Sequence, residues 1–280
     1  MSSYRMPHPY LVLVMKLTLL SVLVLGLWIL PAAAQDFALE QLNESPRHHE
    51  WVEVPVEDGR SVYSFVAYPE TDEPTPAVIV IHENRGLTDW VRSFTDQMAA
   101  AGYLAIAPDL LSGFDAEHQR TSDFASSDAA RDALYQLDPD QITRDLQAVQ
   151  SYLADVPAAN GTVVVMGFCW GGSQTFRYAT NASDLTAAMV FYGSPPDDGY
   201  DAIAAPVYGF YGENDERINS TIPATEEQMQ DAGNTYTYEI YDGAGHAFMR
   251  RGDDPDGSPA NHAARDAAWE RLERLLGQMP

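Results

Sequence analysis

The chain has one cysteine, Cys169, in 280 residues. A single thiol excludes an intramolecular disulfide, so the fold must rest on its hydrophobic core. Basic residues are also scarce, 16 against 41 acidic ones, for a formal net charge of −25. That balance argues against nucleic acid or anionic lipid as partners of the folded surface. The only lysine is Lys16, and every later basic residue is arginine. An acid-rich, lysine-poor surface fits a saline habitat, and GC-rich coding would give the same arginine bias. There is no Cys/His cluster with zinc spacing and no glycine-rich phosphate loop. Asp253-Asp254-Pro255-Asp256-Gly257 lacks the spacing and closing glutamate of a calcium loop and reads as a solvated acidic turn. No metal and no cofactor is expected.

What the N-terminus does have is an apolar run. Lys16 precedes Leu17–Leu30, and Pro31-Ala32-Ala33-Ala34 offers small residues for cleavage before Gln35. This is the order of an export signal over residues 1–34, with 1–14 an upstream extension if Met15 is the natural start. A membrane anchor is the competing reading; Lys16 and the alanine end favour cleavage, and no cysteine is placed for lipoprotein anchoring. The expected product is periplasmic or secreted, without stable membrane association. About 245 residues then remain, enough for one large α/β domain or two small ones.

From residue 51 to 278 short β-branched runs alternate with longer amphipathic stretches, after an N-terminal segment 35–50. The pattern predicts strands at 77–81, 103–107, 163–166, 187–192, 207–211 and 236–241, and helices at 88–101, 129–137, 140–156, 171–180 and 262–278. Trp51–Val54 and Ser61–Tyr68 read as an antiparallel hairpin at the sheet edge. Near-continuous apolar strands alternating with helices imply one α/β domain, a mostly parallel central sheet with helices on both faces. The polar, irregular stretch 113–139 is the candidate cap over that sheet.

Ligands of open parallel sheets collect beyond the carboxyl ends of the strands. Four chemically suitable residues are predicted there: Glu83 in HENRG, Cys169 in GFCWGG, Asp215 in YGENDE and His246 in GAGHAF. The chain order nucleophile, acid, histidine matches the triad order of α/β-hydrolases. A lone buried cysteine usually acts as a small apolar side chain. The strand–Gly-x-Cys-x-Gly-Gly–helix context favours a nucleophile instead, aimed over a helix N-terminus that stabilises thiolate. The Trp170 N–H becomes an oxyanion donor, with the Asn84 N–H as the candidate second. Asn214 and Glu216 compete with Asp215 for the acid role, and His82 reads as structural.

Together, GFCWGG, HENRG, YGENDE and GAGHAF resemble the dienelactone hydrolase family, with a single-domain α/β-hydrolase fold, over about residues 50–276. The resemblance implies a Cys169–His246–Asp215 triad and an acyl-thioester intermediate. It implies that Glu83 hydrogen-bonds the resting thiol and helps ionise it when substrate arrives. It also implies that Arg250, four residues after the histidine, binds a substrate carboxylate, with Arg131 as the second carboxylate-binding arginine. The implied reaction is hydrolysis of an enol-lactone, such as 4-carboxymethylenebut-2-en-4-olide to maleylacetate. The partner is thus a small lactone or ester. A general secreted carboxylesterase and a non-catalytic thiol-based binding or redox protein remain the alternatives.

Overall fold

The computed structural model describes residues 36–57 and 59–280 and, before them, Met1 alone. The expected export segment therefore lies outside the described residues, Met1 aside. Eight strands form one sheet: β1 (His49–Pro55), β2 (Ser61–Ala67), β3 (Thr75–Ile81), β4 (Leu104–Pro108), β5 (Ala159–Phe168), β6 (Ala187–Phe191), β7 (Val207–Gly212) and β8 (Tyr236–Tyr241). Their order is β1-β2-β4-β3-β5-β6-β7-β8. β2 runs antiparallel to β1 and β4, and every pairing from β4 to β8 is parallel. The apolar runs that predicted buried strands are buried on both faces: Ala77–Ile81, Leu104–Ala107, Val164–Met166 and Ala187–Phe191 have no exposed surface.

Nine helices are described: α1 (Asp36–Glu44), α2 (Asp89–Ala100), α3 (Ser127–Leu134), α4 (Pro139–Ala154), α5 (Trp170–Ala179), α6 (Glu216–Asn219), α7 (Ile222–Asp231), α8 (Phe248–Asp253) and α9 (Pro259–Leu276). Their starts follow from local chemistry. Ser126, Asp138 and Ser258 accept hydrogen bonds from N–H groups of the first turns of α3, α4 and α9. Pro139 and Pro259 occupy first-turn positions, where the missing N–H costs nothing. The last helix therefore begins at Pro259, three residues before the expected start.

The helices cover both faces. Ile142, Leu146, Val149 and Leu153 of α4 pack one face with residues of α3, α5 and α7. The other face carries Trp90, Val91, Phe94 and Met98 of α2, with residues of α1, α8 and α9. α1 is tethered to α2 by one carboxylate. Asp96 accepts from Ser45 Oγ at 2.8 Å, Arg47 Nε at 2.7 Å and Nη2 at 2.6 Å, and contacts His49 Nε2 at 2.7 Å.

The sheet order sets the place of the site. After β3 the chain crosses to β4 on one side, and β5 then pairs on the other side of β3. The carboxyl ends of β3 and β5 thus flank the point where the winding reverses, where open α/β sheets form their binding crevice.

Candidate active site

At the end of β5 the backbone turns through Cys169 with φ 56° and ψ −114°, a conformation L-residues rarely adopt. The turn has no room for side chains around it. A Cβ on Gly171 would lie 2.3 Å from the His82 carbonyl oxygen and 2.5 Å from that of Ile81. A Cβ on Gly167 would lie 2.3 Å from the Gly171 carbonyl oxygen, and one on Gly193, after β6, 2.3 Å from the Gly172 carbonyl carbon. Close approach of three strand ends to the start of α5 is what the GFCWGG glycines permit. Cys169 N–H donates to Phe191 O at 3.0 Å, and Ser173 N–H to Cys169 O at 3.1 Å. The thiol is half-buried, at the N-terminus of α5.

Asp215 and His246 arrive on loops that lace together. Asn214 N–H donates to Ala244 O at 2.8 Å, and Gly243 N–H to Glu213 Oε2 at 2.7 Å. Of the three polar residues at the tip, Asn214 and Glu216 face solvent, while Asp215 is buried. Its Oδ2 meets His246 Nδ1 at 2.5 Å. Burial by itself lowers the proton affinity of that imidazole. Hydrogen bonding to Asp215 and Cys169, with the negative charge of both, outweighs burial and raises the pKa to about 9. The structure thus brings Asp215 and His246 into direct contact, and Cys169 acts on the same imidazole.

Glu83 lies just past β3 and is buried, but it does not hydrogen-bond the thiol. Its Oε2 accepts from Arg250 Nε at 2.7 Å, and its Oε1 has no partner. The implied Glu83–thiol contact is therefore replaced by a Glu83–Arg250 ion pair. Burial works against the Arg250 charge, and the Glu83 carboxylate outweighs it, raising the guanidinium above its ordinary value. Arg250 sits on α8, one turn beyond His246, which places the two predicted functions on one loop–helix unit.

Arg131 is elsewhere. It is half-buried on α3, and its guanidinium pairs with Asp128 and Asp132 of the same helix. The arginine that joins this segment to the site loop is Arg85, whose Nη1 donates to Ser127 Oγ at 2.5 Å and lies 3.4 Å from Asp128. Thr121 adds a second tie: its Oγ1 accepts from Leu87 N–H at 3.0 Å and donates to Asp109 at 2.7 Å. Stretch 113–139 is thus anchored to the HENRG loop.

The N–H groups of Trp170 and Asn84 make no hydrogen bond within the described residues. His82 braces the loop after β3 against the start of α5. Its Nδ1 lies 2.8 Å from Glu83 O, its Nε2 accepts from Leu110 N–H at 3.2 Å, and its ring stacks on Trp170 at 5.5 Å. Full burial lowers its pKa, which keeps Nε2 free to accept. The sequence did not disclose Tyr192, which follows β6 with its phenol wholly buried and its ring 5.1 Å from that of His246. Only its position at a strand's carboxyl end could have flagged it.

Known proteins resemble this chain in sequence and in fold. The model of the dienelactone hydrolase family matches residues 62–279. A protein of Escherichia coli K12 named "Putative carboxymethylenebutenolidase" is 33% identical over 229 residues, covering 76% of this chain and 81% of its own. A Bradyrhizobium protein named "Probable 2-oxo-3-(5-oxofuran-2-ylidene)propanoate lactonase" is 27% identical over 213 residues, 71% of this chain and 83% of its own. Among solved structures, the "Putative Dienelactone Hydrolase" of Klebsiella pneumoniae superposes with a TM-score of 0.73 at 25% identity, over 84% of this chain and 100% of that one. With its single-domain α/β-hydrolase fold, this chain belongs to the dienelactone hydrolase family of hydrolases.

Proposed function

We propose that the protein hydrolyses lactones or activated esters that carry an anionic group, using Cys169 as nucleophile, His246 as proton carrier and Asp215 as its orienting acid. The observation that carries this reading is the 2.5 Å Asp215–His246 contact beside a cysteine held in a strained turn at a helix N-terminus. The substrate's anionic group competes with Glu83 for Arg250. The Cys169 thiolate attacks the ester carbonyl, and the oxyanion is received by the N–H groups of Trp170 and Asn84. Collapse breaks the C–O bond, leaving an acyl-thioester and an enolate or alkoxide that takes a proton. Water, giving its proton to neutral His246, adds to the thioester and releases the acid and the thiol. Thiolate is readily expelled from amide-derived intermediates, so peptides are poor substrates.

The names of the relatives, a carboxymethylenebutenolidase and a lactonase, support the lactone class. The N-terminal run supports export to the periplasm or medium. Cys169→Ala should abolish turnover of p-nitrophenyl acetate and of an enol-lactone; turnover persisting in a pure preparation would refute the nucleophile. A protein that uses this thiol only for redox or binding would be alkylated yet would turn over neither compound.

A further inference from the structure

One buried imidazole at the nucleophile's turn takes no part in the triad: His82, with 0% exposure. Its backbone packs against the elbow, where a Cβ on Gly171 would lie 2.3 Å from the His82 carbonyl oxygen. Both ring nitrogens are engaged. A carbonyl oxygen can only accept, so the 2.8 Å contact between Nδ1 and Glu83 O is a bond donated by Nδ1–H. Nε2 accepts from Leu110 N–H at 3.2 Å, which leaves it unprotonated and fixes the neutral Nδ1–H tautomer. The ring also lies nearly parallel to the Trp170 indole, 5.5 Å away and tilted by 8°.

The acceptor of the Nδ1 bond is what gives this ring a function. Glu83 C=O belongs to the same peptide unit as Asn84 N–H, the second oxyanion donor of the proposed reaction. In that trans peptide the C=O and the N–H point in opposite directions. A donor fixed on the oxygen therefore aims the N–H away from His82, and it polarises the peptide, since linked hydrogen bonds strengthen one another. The first donor, Trp170 N–H, belongs to the residue whose indole the same ring covers. We propose that His82 is a positioning residue for the oxyanion, orienting and strengthening Asn84 N–H through the Glu83 carbonyl. Its stacked ring holds that peptide in register with Trp170, and the Leu110 bond holds the tautomer. This rests on the reading of Trp170 and Asn84 as oxyanion donors to Cys169 chemistry.

The sole cysteine allows two reactions at one sulfur to be compared. Acylation by p-nitrophenyl acetate passes through an oxyanion. Alkylation by iodoacetamide does not: the thiolate forms an S–C bond as the C–I bond breaks, and iodide leaves with the electron pair. His82→Asn can reach Glu83 O with its short amide, and His82→Gln can reach Leu110 N–H with its longer one. His82→Gln should slow single-turnover acylation at least about tenfold with alkylation unchanged, short of the 100-fold or more that losing an oxyanion donor costs. His82→Asn should keep the acylation-to-alkylation ratio near that of wild type, even with a lower melting temperature. An unchanged ratio in His82→Gln would overturn the proposal, whether both reactions hold or both slow, and so would an equal fall in the two variants. Nitrogen NMR shifts of the unaltered protein should report His82 protonated at Nδ1; protonation at Nε2 would overturn the proposal without any variant. Failure of the underlying reading would appear separately, as ester turnover surviving Cys169→Ala or as a ratio unmoved in Asn84→Pro, which lacks the N–H.

Discussion

The His246 imidazole is pulled two ways, down by burial and up by Asp215 and Cys169, and the upward pull wins at about 9. A group whose proton affinity is raised on folding stabilises the fold fully below its unfolded value, ordinarily about 6.5, and loses that contribution as pH rises through the folded one. The melting-temperature advantage of wild type over His246→Gln should therefore be largest below about pH 6.5 and fade toward pH 9. Asp215→Asn removes a hydrogen-bonding anion, so the imidazole should titrate lower by NMR and ester turnover should fall by at least about 100-fold. An imidazole titrating unchanged in that variant would mean Asp215 does not govern it. That Cys169, Asp215 and His246 follow β5, β7 and β8 was legible in the sequence, because glycines and apolar runs mark those strand ends. Tyr192 was not, because nothing local distinguishes a tyrosine buried beside the histidine with an unmatched hydroxyl. Arg131 was predicted to bind a substrate carboxylate, a reading that neglected the acids three residues before it and one after it. In the fold, Asp128 and Asp132, acids of its own helix, capture it.

Elements differ in how plainly the sequence encodes them, and the reason is where their side chains go. β3, β4, β6 and β7 are buried on both faces, so their apolar runs stand out. β8 alternates partly exposed and exposed positions, yet its aromatic and β-branched residues kept it readable. α7 buries only Ile222, Thr225 and Met229, and α8 is six residues entered through Ala247 at φ 62°, so neither leaves an amphipathic signature. α1 escaped for another reason: its docking depends on Asp96, fifty residues downstream. Burial alone would raise that carboxyl, but its bonds to Arg47, His49 and Ser45 outweigh burial and hold it below the usual range. Its contribution is present above the unfolded pKa of about 3.9 and is lost as pH falls through the folded value. Asp96→Ala should free this segment at neutral pH, read as faster tryptic cleavage after Arg47 with ester turnover retained; unchanged cleavage would show that Ala38, Leu42 and the Gln41–Ser93 hydrogen bond hold α1 down without it. The elbow is less forgiving. Gly171→Ala forces a methyl into two backbone carbonyls, an overpacking that costs about 1–3 kcal/mol or more, and should abolish activity while lowering the melting temperature.

At the scale of the whole molecule, the 41 acidic residues outnumber the 16 basic ones enough to make the surface repel itself. The arginines are largely committed in specific places. Arg47 with Asp96, Arg265 with Asp253 and Arg250 with Glu83 all pair with buried or nearly buried carboxylates. Salt acts on these two populations differently. Exposed like charges are screened strongly, the screening length falling from about 30 Å at 0.01 M to about 3 Å at 1 M, whereas partly buried pairs are screened much less. Raising ionic strength should therefore remove more repulsion than attraction. The melting temperature should rise between 0.01 M and 0.5 M sodium chloride by a few degrees, since about 1 kcal/mol moves a domain of this size by about 2–4 °C. The same rise in sodium sulfate at matched ionic strength would mark the effect as screening; a larger rise in sulfate would add the stronger burial that excluded salts impose. A melting temperature that falls with added chloride would mean that the arginine–carboxylate pairs, not the surplus of surface acids, dominate the electrostatics of the fold. The composition would then be no adaptation to salt at all.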